Sequence, residues 1–121
     1  KMLVNGANEA ISNHKKKFKI NIIYVPGVFE IPNVISKNLK KFDAFIALGC
    51  VIKGETPHFD FISKSSIDAI MKLSIDSKKP IGNGILTCFN KDQAVERADK
   101  SKKNKGKEAA DAAIELLIGD N

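Results

Sequence analysis

Ala47-Leu48-Gly49-Cys50-Val51-Ile52-Lys53-Gly54-Glu55-Thr56-Pro57-His58-Phe59-Asp60-Phe61 begins as a strand and ends as a helix. With Phe45 and Ile46 ahead of it, the run is continuously apolar, as in a parallel strand covered on both faces. Gly54 breaks the run. Thr56 suits a helix N-cap, and Pro57 suits the first helical position, where its missing N–H costs nothing. His58 then falls in the first turn. A strand end that opens into a helix N-terminus gathers unpaired N–H groups and the positive end of the dipole in one crevice, which suits an anion. In open α/β sheets that crevice, at the carboxyl ends of the strands, is where ligands bind. Positive potential favours the neutral imidazole, so His58 can accept a proton near neutral pH. A lone histidine at a helix start is as readily a solvated polar residue, and the rest of the chain decides between the two.

The 121 residues suffice for one domain with one modest core. No repeat, linker or low-complexity tract divides residues 1–121. An apolar fraction of 43% is that of a globular chain, not a disordered one. No apolar run approaches the roughly 18 residues of a membrane span, and no secretory signal is visible, so a cytoplasmic location is expected. Cys50 and Cys88 lie at strand ends with no metal-ligand spacing; reduced thiols are the default. The net charge of +6 comes largely from Lys15-Lys16-Lys17 and from Lys100, Lys102, Lys103, Lys105 and Lys107. These lysines are not interleaved with aromatics, and no nucleic-acid motif accompanies them, so a solvated basic face or a small anionic ligand accounts for them.

Residues 1 to about 16 read as a helix, with Met2, Leu3, Ala7, Ala10, Ile11 and His14 on one stripe. No N-cap precedes it, so this helix is expected to start upstream of Lys1. Phe18 to Val25 is β-branched and aromatic and reads as a first strand, closed by Pro26-Gly27. Ile31, Val34, Ile35 and Leu39 mark a helix, with Glu30 at its positive end and Pro32 in its first turn. The next strand lies within Phe42–Ile52. A helix from Pro57 to about Ser77 follows, with Phe59, Ile62, Ile67, Ile70, Met71 and Leu73 as its core stripe. Ile81–Cys88 is the third strand, and its Gly82 and Gly84 signal close approach of a ligand or another backbone. Asn90 and Gln93 resemble a capping box for a short helix through Ala98, and a last helix with an alanine-rich face starts near Asn104 or Lys105. Strands alternating with helices predict parallel βαβ units.

Lys105 and Lys107 sit in a first helical turn, where a cation is disfavoured by up to about 1 kcal/mol. A bound anion would relieve that conflict, with Arg97 as a further ligand; lysines projecting into water would need no relief. Phe29 and Glu30 after the first strand, Lys53 to His58 after the second, and Asn83, Arg97 and Lys105 around the third supply an aromatic face, a carboxylate, an anion nest, a histidine and cations. Such a set suits a polar phosphorylated small molecule undergoing proton transfer.

The segments Val25-Pro26-Gly27-Val28-Phe29-Glu30-Ile31-Pro32, Leu48 to Asp60, Asn83-Gly84-Ile85-Leu86-Thr87, Gln93-Ala94-Val95-Glu96-Arg97-Ala98 and Asn104-Lys105-Gly106 together resemble the lumazine synthase family. Their order and spacing agree over essentially the whole chain. The resemblance implies an α/β three-layer αβα sandwich with a parallel, flavodoxin-like sheet. It implies a cofactor-free, metal-free condensation in riboflavin biosynthesis. 5-Amino-6-(D-ribitylamino)uracil joins 3,4-dihydroxy-2-butanone 4-phosphate to give 6,7-dimethyl-8-ribityllumazine, phosphate and water. It assigns His58 as acid–base catalyst and Arg97, with the amides of Gly54, Glu55 and Thr56, as the phosphate site. Phe29 would pack on the pyrimidine, Glu30 would take ribityl hydroxyls, and the backbones of Val28 to Ile31 and of Cys50, Val51 and Ile52 would line the same substrate. Asn83 and Lys105 match the wall given by an adjoining subunit. Family members form homopentamers, some closing twelve pentamers into an icosahedral shell, with neither nucleic acid nor membrane as a partner.

Two departures from the family stand out. Members begin with a central strand ending in an aromatic residue, between the first two strands retained here; its absence is expected to open the sheet and impair stability, assembly and activity. Asn83 replaces an aromatic found in some members. Two other readings are a non-catalytic flavodoxin-like module for riboflavin-type ligands and a basic nucleic-acid-binding domain; intact His58 and Arg97 speak against the first, and a steep salt dependence of binding would mark the second.

Overall fold

A computed structural model of the chain describes residues 1–53 and 58–119, leaving aside the side chains of His58 and Phe59. In chain order it contains α1 (Met2–Ser12), a 3-10 turn (Val28–Glu30), α2 (Ile31–Lys37), β1 (Phe45–Ile52), α3 (His58–Ser77), β2 (Ile81–Cys88), α4 (Lys91–Ala98) and α5 (Lys105–Gly119). β1 and β2 are parallel and pair in register from Phe45 opposite Ile81 to Ile52 opposite Cys88. The long α3 between them is the crossover that parallel pairing demands. Its expected cap Thr56, with Pro57, lies outside the described residues.

The two faces of this ribbon build two cores. Ala47, Ile81 and Ile85 meet Ile31 and Ile35 of α2 and Ile70 of α3. On the other face, Leu86 and Cys88 meet Leu3 of α1 and Ala98 of α4. α5 crosses that second face with Ala109, Ala110, Ala113 and Ile114 buried. The result is the expected layering of helices on both sides of a parallel sheet.

Gly82 and Gly84 explain how α5 comes so close. A Cβ at Gly82 would strike the carbonyl of Ala109, and one at Gly84 would come within 2.6 Å of Leu48 and 3.1 Å of the Ala109 methyl. The strand glycines therefore mark a backbone neighbour, one of the two meanings their position carries. Gly106 does the same between helices, facing the Leu3 carbonyl of α1.

Phe18–Val25, read above as the first strand, is not one. Strand propensity needs a ladder partner, and residues 17–25 make no backbone hydrogen bond to the described residues. Ile20, Ile22, Ile23 and Tyr24 are exposed along it. Between this segment and the unpaired side of β1 runs a groove of about 810 Å³ that reaches Leu48, Gly49 and Cys50. The sheet thus has two strands among the described residues. Met71 also departs from expectation: it is 59% exposed, because α3 turns Ser66 and Ile70 to the sheet instead. α1 ends at Ser12, sooner than the stripe through His14 suggests.

Candidate active site

The carboxyl ends of β1 and β2 finish side by side. Beyond the last ladder pair, the Lys53 amide still donates to the Cys88 carbonyl at 2.8 Å, so the strands part only there. Chain positions that are far apart in sequence converge on this end.

Arg97 comes to it from α4. Asn90 caps that helix, its side-chain oxygen accepting from the Gln93 amide at 2.9 Å. Gln93 answers by accepting from the Phe89 amide at 2.9 Å, one residue earlier than a capping box would place it. The cap fixes α4 directly against the end of β2, and Arg97, in its last turn, reaches back. Its Nη1 donates to the Thr87 carbonyl at 3.0 Å and to the Cys88 Sγ at 3.6 Å. The guanidinium is thereby held at the joint strand end by the strand's own backbone.

Cys50 lies on the neighbouring strand, two residues before its end. Partial burial first, then Cys88, push its thiol up from 9.0 to about 11, while Arg97 pulls the other way. Cys50 is thus a neutral thiol at physiological pH, within the field of Arg97.

The turn Val28–Glu30 packs onto β1 from the α2 side. Val28 lies over Gly49, where a Cβ would come within 2.7 Å of its methyl. Phe29 points outward and is 58% exposed. The Glu30 carboxylate folds back over Gly27, 3.1 Å from where a Cβ would stand. Ile31 is buried in the core, so its side chain is structural and only its backbone can face a ligand. An exposed aromatic ring and a carboxylate thus flank the edge of β1 that carries Gly49 and Cys50, next to the groove.

Not every expected residue joins this group. Asn83 sits mid-strand, four residues before Thr87 and hence about 13 Å away along β2. It is exposed, and its side-chain oxygen accepts from the Ile85 amide at 3.0 Å. Lys105 lies at the start of α5, where it pairs with Glu108 at 3.1 Å, and Lys107 pairs with Asp111 at 2.6 Å. Carboxylates one helical turn on therefore relieve the conflict of cations in a first turn, which needs no anion. Gly54, Glu55 and Thr56, the expected anion nest, lie outside the described residues, as does the side chain of His58. α3 begins at His58, which places its backbone one short connection beyond the end of β1.

Two residues at this end carry no expectation of a role in the site. Phe89 is 64% exposed immediately after β2, and the Lys53 ammonium lies 5.4 Å above its ring. An exposed aromatic directly after a strand is a readable signal, but only once the strand's end is known. Cys88, wholly buried, is the other, through its contact with Arg97. Among the described residues no cluster of His, Cys, Asp or Glu could hold a metal ion, and no helix is long and apolar enough to cross a membrane.

Residues 1–118 match the family model described as 6,7-dimethyl-8-ribityllumazine synthase. The protein of that name from Bartonella tribocorum is 42% identical, the match covering 98% of this chain and 83% of the relative. The one from Sulfurimonas denitrificans is 42% identical over 95% of this chain and 77% of the relative. The one from Erythrobacter litoralis is 45% identical over 96% and 82%. An arginine anchored where two parallel strands end, an exposed ring and a carboxylate beside them, and a match of this extent lead to one assignment. The chain belongs to the 6,7-dimethyl-8-ribityllumazine synthase family.

Proposed function

We propose that this chain catalyses the condensation of 5-amino-6-(D-ribitylamino)uracil with 3,4-dihydroxy-2-butanone 4-phosphate to 6,7-dimethyl-8-ribityllumazine, the riboflavin-pathway step after which its relatives are named. The observation that carries this reading is Arg97. It occupies the family's phosphate position in the motif, and the end of β2 holds it in place through the Thr87 carbonyl. A guanidinium fixed on one side keeps its remaining donors for a phosphate, which it can grip in a forked geometry.

The chemistry asks mainly for positioning and proton transfer. The arylamine attacks the ketone, the carbinolamine loses water to an imine, phosphate leaves, and the ring closes with loss of a second water. His58 takes and returns protons in these steps. Arg97, with the amides of Gly54, Glu55 and Thr56, holds the phosphate and stabilises it as it leaves. Phe29 covers the pyrimidine, and Glu30 accepts from ribityl hydroxyls. The backbones of Val28 to Ile31 and of Cys50 to Ile52 line the ring. Asn83, about 13 Å along β2 from the Thr87 carbonyl that holds Arg97, and Lys105, at the start of α5, act from the adjoining subunit of a homopentamer. The separation of Asn83 from Arg97 in the single chain supports that part of the reading.

The test is absorbance in the lumazine band with both substrates supplied to the protein and to its His58→Ala and Arg97→Ala variants. Product from the parent is expected, with loss of proton transfer in His58→Ala slowing turnover by about 10²-fold or more. Arg97→Ala is expected to raise KM for the phosphate substrate far more than for the uracil. A folded parent that binds the lumazine but forms none would instead establish a non-catalytic binding module.

A further inference from the structure

Lys53 and Phe89 meet where the two strands part. The Lys53 amide donates to the Cys88 carbonyl, so its side chain leaves from the last point at which β1 and β2 are joined. Its ammonium lies 5.4 Å from the centroid of the exposed Phe89 ring. Arg97 is anchored on the two residues before that ring, through the Thr87 carbonyl and the Cys88 Sγ. The anchors of both cations therefore fall on three consecutive residues, whose Cα atoms span at most about 7 Å.

The counter-charges at this end are also telling. Lys64, Lys72, Lys100, Lys105 and Lys107 each meet a carboxylate. Among the described residues neither Lys53 nor Arg97 does. A ring takes the place of the carboxylate for Lys53, and a carbonyl takes it for Arg97. Phe89 is a firm support, because its amide donates to the Gln93 side chain within the cap of α4. A cation–π contact occupies one side of an ammonium and leaves N–H donors for another partner. Each cation is thus held from one side by the end of β2, with its positive charge unneutralised.

We propose that Lys53 is a second phosphate-binding cation of this site and that Phe89 is its positioning residue, holding the ammonium beside the phosphate gripped by Arg97. The proposal rests on the phosphate reading of Arg97 given above and adds two residues to it. Charge balance favours it: a phosphate monoester carries close to two negative charges near neutral pH, and one guanidinium supplies a single positive charge. The two side chains suit different tasks. The pinned, planar guanidinium fixes the orientation of the phosphate. The ammonium is a point charge on a four-carbon stem, which can follow the anion as it leaves as inorganic phosphate. Phe89 limits how far that stem wanders, so less freedom is lost when the anion binds.

The experiment titrates inorganic phosphate into the protein and into its Arg97→Ala, Lys53→Met, Lys53→Arg, Phe89→Leu and Lys72→Met variants, and measures KM for each substrate alongside. Lys72 lies on α3 about 21 Å along the helix from His58, so Lys72→Met removes the same charge away from the site. Lys53→Met should weaken phosphate binding and raise KM for the butanone phosphate by about fivefold, with KM for the uracil unchanged. Lys53→Arg should keep most of the affinity, and Lys72→Met all of it. Phe89→Leu should weaken phosphate about twofold in the parent and not at all in Lys53→Met, because the ring acts only through the ammonium. Parent-like phosphate binding by Lys53→Met, an equal loss in Lys72→Met, or an equal rise in KM for both substrates overturns the proposal. A loss from Phe89→Leu that persists without Lys53 overturns the positioning role. When Arg97→Ala weakens phosphate and Lys53→Met does not, the proposal fails alone. When Arg97→Ala binds phosphate like the parent, or the parent binds none, the reading of Arg97 fails and takes the proposal with it.

Discussion

Ser66 is the clearest misfit among single residues. It is 2% exposed on the sheet-facing side of α3, and its hydroxyl has no hydrogen-bond partner among the described residues. A buried unpaired hydroxyl costs about 1–3 kcal/mol, and alanine is also the better helix former. Ser66→Ala should therefore raise the unfolding free energy by about 1 kcal/mol in chemical unfolding; a lower value would mean that the hydroxyl is paired. Cys50 makes a prediction in pH. The unfolded chain loses this proton near 9.0, while the folded chain keeps it to about 11, because of burial and then Cys88. Between those values the unfolded state binds fewer protons, so stability contributed by the neutral thiol is complete below pH 9 and is lost as pH rises toward 11. Equilibrium unfolding followed from pH 8 to 11 should show the parent losing more stability than Cys50→Ser, and parallel curves would refute the shift. At this scale Arg97 was legible because the family motif contains it. Its anchors were not: a main-chain carbonyl such as that of Thr87 looks the same beside every side chain, and the Cys88 contact depends on how α4 docks.

Helices and strands follow from local rules wherever those rules agree. Ile81–Cys88 and the end of α4 at Ala98 came out at their expected boundaries, because prolines, a cap and β-branched residues bracket them. By local rules Lys78-Lys79-Pro80 is simply a stop for α3. In the fold, Lys79 reaches across and donates its ammonium to the carbonyls of Leu39 and Phe42, tying the end of α2 to the end of α3. A partner some forty residues away leaves no periodic trace in sequence. Gly106 of α5 and Gly82 of β2 are more telling, since each stands where two backbones nearly touch. Gly106→Ala should destabilise by about 1–3 kcal/mol: the added methyl meets the Leu3 main chain, which cannot rotate away, and this outweighs the helix-propensity gain. Gly119→Ala is the control, because nothing among the described residues lies within 4 Å of its would-be Cβ. Unfolding free energies from urea titration should fall for the first variant and stay within about 0.5 kcal/mol of the parent for the second. Equal midpoints would mean that α1 and α5 are less closely packed than described.

For the molecule as a whole, sequence reading reached the layering and missed the strand count, and the reason is physical. Phe18–Val25 has the composition of a strand, but composition reports how well side chains suit a pleated surface, not whether a hydrogen-bonding neighbour stands beside it. The same holds for β1, whose apolar run anticipates cover on both faces but cannot show that one edge borders a groove of about 810 Å³. Stability should therefore be uneven across the fold. Alternate amides of β2 lie in the ladder with β1, and the strand lies under α5 on one face and α3 on the other. The amides of residues 17–25 have no backbone partner among the described residues. In hydrogen exchange followed by mass spectrometry, peptides within residues 17–25 should exchange in seconds, near the rate of a free chain. Within Ile81–Cys88 the amides paired with β1 should exchange only through large-scale opening, orders of magnitude more slowly. Protection of the first segment equal to that of β2 would mean that a partner strand, from the same or another chain, completes the ladder along the groove in solution. The strand reading of Phe18–Val25 would then be restored at the level of the assembly.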